Sequence, residues 1–344
     1  MYFDIVPKTK KEDFFNYDYE HGEIKNAIER KEKIIAVIGV RRVGKTSLLS
    51  VVYNETKALK LWIDGRIISD PKKELYSAIY ETVKTKESKI FGNVDGINVS
   101  AFGIGIDIKT SVESRIEMEK KIATAPRTIV FIDEAQRMDR KELADILSYF
   151  YDRVQNVSFI ISGSEIGLVE EIIGENDPEH SLYGRHIIKI KMERLDKNRE
   201  MEFLKKGFAQ IGVDIGKNEI EDAIKELDGL IGWLTLYGYR RGLMKSKNAL
   251  AETVETAAQI TRSELAHFFT KRKDRRAYVS IIRHAKGVSW TELKLLVEQD
   301  LKEPINSNQL AFLLEELAKY SFIEKKDEKY HLSDPLLLKA SLLI

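Results

Sequence analysis

The chain has 344 residues, enough for two or three domains and at least one sizeable core. Its 56 Lys and Arg nearly balance 55 Asp and Glu, so no global field draws it to nucleic acid or to an anionic membrane; any such binding needs a local patch. Disulfides, thiolate-zinc sites and cysteine nucleophiles are excluded because there is no cysteine, which fits a reducing cytoplasm. The opening MYFDIVPKTKKEDFF carries charges where a signal peptide needs an apolar run, and no uncharged stretch approaches ~20 residues, so the expectation is a soluble, cytoplasmic protein that no membrane holds.

The apolar, largely β-branched run 34–38 reads as a buried parallel strand, and the residues after Lys45 read as a helix. Between them lies GVRRVGKTSLL, residues 39–49, with the spacing Gly39-x-x-x-x-Gly44-Lys45-Thr46 of a phosphate-binding loop in the strand–loop–helix setting it requires. Backbone N–H groups of Arg41, Arg42, Val43, Gly44, Lys45, Thr46 and Ser47 are expected to converge at the helix N-terminus, where aligned peptide dipoles favour an anion. Lys45 is then the side chain to reach the β- and γ-phosphates, and the Thr46 hydroxyl is a magnesium ligand.

A second strand is expected at 59–63. From Gly96 to Ile108 apolar residues alternate with small or polar ones, which predicts a glycine-containing hairpin before a helix over 111–123, either an edge decoration or a partner-binding appendage. The continuous apolar run 128–132 predicts another buried strand, ending in Asp133 and Glu134. Carboxylates at that end lie in the crevice where open α/β sheets bind ligands. Asp133 suits magnesium, and Glu134 suits the general base that polarises an attacking water; adjacent acids also mark plain helix N-termini.

Strand 157–161 runs into Ser162-Gly163-Ser164, where Ser162 or Ser164 can sense the γ-phosphate or cap the next helix. Arg185, in SLYGR ahead of the apolar strand 187–190, either stabilises charge on a transferred phosphoryl group or makes a surface ion pair. Residues 192–260 show helical periodicity, with glycines just past the helix ends. Beyond the basic run 271–276 the order is three helices and a hairpin over 324–332, which is the winged-helix order, with the helix led by Ser307 as the recognition element. From Arg262 to Ile344, 15 Lys and Arg stand against 12 Asp and Glu, and Glu315 and Glu316 on that helix are opposed only by Lys319, so DNA and protein both remain open as partners.

KEDFFNYDYE, GVRRVGKTSLL, TIVFIDEAQ, FIISGSEIGLV, SLYGR and SDPLLLKA, in this order along nearly the whole chain, resemble the archaeal-type P-loop ATPases, an AAA+-like, STAND-related family similar in layout to origin-recognition ATPases. The resemblance implies an α/β fold: a parallel-sheet ATPase core over 1–191, an all-α lid and connector over 192–265, and a C-terminal winged-helix domain over 266–344. It implies ATP or ADP with Mg2+ as ligands, Phe14 and Phe15 against the adenine, and a lid motif at 228–233 that brings Ile231 to the nucleotide. Asp228 stands where the family has glycine and Ile231 where it has proline. No arginine occupies the second-sensor position, which implies weak lid-driven hydrolysis, and the Asp228 and Ile231 departures imply a weakened lid, slow hydrolysis with nucleotide retained and a chain monomeric at rest, with a nucleotide-dependent oligomer left open. Three readings stay open: a DNA-associated ATPase, a signalling switch that retains ADP, and a scaffold without turnover.

Overall fold

The computed structural model describes residues 1–88, 97–98, 119–175, 177–270 and 272–344, with side chains described outside 85–88 and 97–98. The chain divides into two compact units: residues 8–39 with 45–192, and residues 1–7 with 40–44 and 193–344.

The first unit is built on a sheet of six parallel strands in the order β3-β2-β4-β5-β1-β6. The strands are β1 (Ile34–Ile38), β2 (Leu59–Asp64), β3 (Ile97–Asn98), β4 (Thr128–Asp133), β5 (Val157–Gly163) and β6 (Ile188–Lys191). Every residue of β1, β4 and β5 is buried, as expected of central parallel strands covered by crossover helices on both faces. The helices Lys45–Glu55, Pro71–Ser88, Arg140–Arg153 and Ile166–Ile173 supply those crossovers. One face of the sheet packs Val130, Ile132, Phe159 and Ile161 against Leu147 and Phe150. Register aligns the strand ends: Asp64 is level with Asp133, Ile132 with Ile161, and Ile38 with Gly163. The C-terminal ends of β1, β4 and β5 therefore form one rim. Of the hairpin expected at 96–108, only Ile97 and Asn98 lie within the described residues, paired in parallel with Leu61 and Trp62. Most of the helix expected over 111–123 also lies outside them, although 119–124 is helical.

The second unit contains the helices Lys197–Gln210, Lys217–Leu227, Ile231–Gly238 and Ala249–Phe269. Phe3, fully buried, inserts its ring among them, 4.7 Å from the ring centroid of Phe208 and 5.7 Å from that of Phe203. Then follow helix Arg275–His284, β7 (Lys286–Ser289), helices Trp290–Leu301 and Ser307–Lys319, the hairpin of β8 (Ile323–Lys326) and β9 (Lys329–Leu332), and helix Leu336–Leu342. The strands form an antiparallel sheet in the order β7-β9-β8 over a core that includes Phe268, Tyr278, Leu313 and Phe322. A reciprocal capping box between Ser289 and Glu292 starts the second of these helices. Among the described residues no helix is long and apolar enough to cross a membrane.

Candidate active site

Lys45 is the first residue of the helix that follows β1, and Thr46 is the next. The Lys45 side chain is only 5 % exposed, and its ammonium donates to the Gly39 carbonyl at 2.7 Å, so its charge is folded back into the loop. Within that loop Arg42 and Gly44 have φ of 68° and 100°, the left-handed turns that a compact phosphate loop takes. Thr46 Oγ1 donates to Asp133 Oδ2 at 2.8 Å, and Ser162 Oγ donates to Asp133 Oδ1 at 2.5 Å. Burial pushes the Asp133 carboxyl above its ordinary range, while the Ser162 and Thr46 hydroxyls pull it back.

Immediately after β4 the backbone turns: Glu134 has a φ of 53°, and Ala135–Arg137 form a single 3-10 turn. That turn returns the side chain of Gln136 towards Glu134. Glu134 Oε2 accepts from Gln136 Nε2 at 2.5 Å and from Ser164 Oγ at 3.0 Å. The helix Ile166–Ile173 takes Glu165 at its N-cap with no side-chain cap bond, so neither serine at the end of β5 caps it. The two serines instead divide the acids between them, Ser162 on Asp133 and Ser164 on Glu134. Sequence reasoning missed Gln136. A polar residue after two acids reads as a solvated helix start, and only its burial, at 3 % exposed, reveals the contact.

The other residues expected at the site have contacts of their own. The Arg185 guanidinium is held by Asp152, with Nη2–Oδ2 at 2.6 Å and Nε–Oδ1 at 3.1 Å, and by the Ser181 carbonyl. Ser47 Oγ accepts from the Lys8 backbone N–H at 3.0 Å. Phe14 and Phe15 are buried, the Phe14 ring 6.0 Å from that of Tyr17 and 5.4 Å from the Lys11 ammonium. In the other unit Asp228 adopts the left-handed conformation, φ 42°, that glycine takes at a helix end, and Arg194 holds its carboxylate at 2.6 Å. Ile231 opens the helix Ile231–Gly238, at the first-turn position that suits proline. Arg41 Nε lies 3.7 Å from Glu264, and Gly232 N–H donates to the Arg42 carbonyl at 2.9 Å.

The donors suit magnesium. A threonine hydroxyl and a carboxylate are hard oxygen ligands, and Asp133 is a buried carboxyl to which Thr46 and Ser162 both donate. Among the described residues there is no group of three or more histidines and acids that could hold a metal ion.

A parallel sheet with a glycine-lysine-threonine loop leaving β1 and an acid pair ending β4 defines a P-loop NTPase fold of the α/β class. Residues 14–236 match the family described as an ATPase domain predominantly from Archaea, and the chain belongs to that family. It is similar over 99 % of its length, and over 100 % of the other chain, to the Walker-type ATPase PabY2304 of Pyrococcus abyssi, at 28 % identity and a TM-score of 0.80. Weaker likenesses are to the RuvB Holliday junction branch migration motor of Thermotoga maritima, at 13 % identity over 96 % of both chains with a TM-score of 0.47, and to a DNA replication initiation factor, at 15 % identity over 91 % and 92 % with a TM-score of 0.40.

Proposed function

We propose that this chain is a slow, magnesium-dependent ATPase whose nucleotide state sets the position of a C-terminal winged-helix module. The reading rests on one observation above all: Asp133 and Glu134, adjacent in the chain, are held by separate donors. Asp133 accepts from Thr46, the hydroxyl beside the phosphate lysine, and Glu134 is held by Ser164 and Gln136. Two neighbouring carboxylates thus have separate environments and can have separate tasks.

In this reading Lys45 leaves the Gly39 carbonyl for the β- and γ-phosphates, and the loop N–H groups between Arg41 and Ser47 bind the phosphate oxygens. Thr46 and Asp133 hold magnesium, which when bound neutralises charge on the phosphates. Glu134 orients a water and takes its proton as the water oxygen bonds to the γ-phosphorus and the bond to the β–γ bridging oxygen breaks, leaving ADP and phosphate. Phe14 and Phe15 belong to the adenine end. Ser162 keeps Asp133 oriented through its donation to Oδ1.

Support for an output module comes from the second unit, where helix Arg275–His284, β7, helices Trp290–Leu301 and Ser307–Lys319 and the β8–β9 hairpin follow one another in winged-helix order. Residues 40–44 of the phosphate loop group with that unit. The test is a pair of variants followed by binding of a fluorescent ATP analogue with magnesium titrated. Lys45→Ala is expected to lose the nucleotide while keeping its fold, and Asp133→Asn to bind it but to need more magnesium. Unchanged affinity in Lys45→Ala refutes the assignment.

A further inference from the structure

The geometry points to Gln136 as a positioning residue for the Glu134 carboxylate, a role that rests on the reading of Glu134 as general base. Its Nε2 donates to Glu134 Oε2 at 2.5 Å and lies 3.3 Å from Ser164 Oγ, which donates to the same oxygen at 3.0 Å. Both donors act on one carboxylate oxygen, so they fix the side chain and leave Oε1 to face a water. The amide cannot serve the other way round, because Oε1 turned towards Glu134 would set a carbonyl dipole against a carboxylate.

The site is shaped around this amide. Gln136 Oε1 is buried and has no hydrogen-bond partner, so the side chain is held by its Nε2 contacts and by packing. A Cβ placed on Gly163, the last residue of β5, would collide with Gln136 Oε1 and with Val169 Cγ2. Glycine there leaves the amide its room. The left-handed turn at Glu134 and the 3-10 turn after it bring residues 134 and 136 to the same side. A buried amide with one unsatisfied oxygen carries a desolvation penalty, which its charge-assisted bond to Glu134 offsets.

The experiment is a double-mutant cycle read in steady-state phosphate release, with nucleotide affinity measured on the same preparations. Gln136→Met keeps the bulk and removes the donors, so kcat is expected to fall about tenfold or more with nucleotide affinity unchanged. In a Glu134→Gln background the same substitution is expected to change kcat by less than about twofold, because residues that act as a unit are not additive. Ser164→Ala, the smaller change, is expected to show the same non-additivity and serves if Gln136→Met does not fold. An equal fall in both backgrounds would mark a structural role and overturn the proposal. Unchanged or faster turnover in Gln136→Met, while Glu134→Gln is slow, would overturn it with the base assignment intact. Parent and Glu134→Gln turning over alike would reject the base itself, and the proposal with it.

Discussion

The guanidinium of Arg42 lies 4.1 Å from the centroid of the Trp233 ring. The same side chain reaches Glu264 at 2.6 Å and Asp334 at 3.6 Å, and the Trp233 indole N–H donates to Asp334 at 3.0 Å. Burial raises the Asp334 carboxyl, with Arg42 and the Leu336 and Trp233 N–H groups opposing it. An arginine of the phosphate loop is thus a cation of a largely buried cluster drawn from three helical regions of its unit.

Removing that cation should be costly. Arg42→Ala removes the guanidinium shared by two acids, one of them almost fully buried, while Glu264 keeps Arg41 at 3.7 Å and Asp334 keeps the Trp233 and Leu336 N–H donors; breaking a buried pair from one side costs roughly 3–5 kcal/mol. Arg42→Lys should recover little, because a point charge cannot both stack on the indole and fork to two carboxylates. Urea unfolding gives the loss, and Asp334→Asn in the Arg42→Ala background should recover part of it. A loss below about 1 kcal/mol for Arg42→Ala would show the cluster to be solvent-screened.

Phe3 offers a second test. Its ring fills the space left by Gly207 and Gly238, where an added Cβ would collide with it. Phe3→Ala should cost roughly 3–5 kcal/mol, the usual price of emptying an aromatic site. Gly238→Ala should also destabilise, by crowding the same ring. Thermal unfolding of the two variants would show both losses; a Phe3→Ala protein as stable as the parent would mean that residues 1–7 are dispensable.

A third prediction concerns pH. Burial raises the Glu200 carboxyl from 4.5 to about 7, although it accepts the Gly229 backbone N–H, with Asp228 adding repulsion. The folded state therefore binds this proton more tightly than the unfolded one. The stability it contributes is present in full below about pH 4.5 and is lost as pH rises to about 7. Glu200→Gln should remove that slope, leaving the variant more stable than the parent at pH 8 by on the order of 2–3 kcal/mol and little different at pH 4.5. Denaturant midpoints at the two pH values measure it. Parallel pH profiles in parent and variant would exclude Glu200 as their source.

What the sequence discloses is contiguous. The loop 39–46 and the run ending in Asp133 announce themselves because strand, turn and polar tip are neighbours in the chain, and the five principal strands fall within a residue or two of their expected ends. What it hides is pairing at a distance. Nothing near Arg42 signals Trp233 or Asp334, and Phe3 sits in a charged opening stretch with nothing beside it to mark a core aromatic. Asp228 reads as a departure from glycine, yet aspartate tolerates the left-handed backbone better than most residues, and Arg194 ties it down. Gln136 is hidden for another reason: its side chain is polar, so composition assigns it to solvent, and only the register of β4 beside β5 brings it under Ser164.

The most direct test is single-turnover hydrolysis with the bound nucleotide identified at the end. Parent and Glu134→Gln proteins would each be loaded with ATP and magnesium, freed of excess nucleotide, and followed for phosphate release. The parent should release phosphate and finish with ADP. Glu134→Gln should hold ATP with release slowed by roughly 10²- to 10⁴-fold, the contribution of a general base. Equal rates in the two proteins, or a parent that binds ATP and never converts it, would contradict the account.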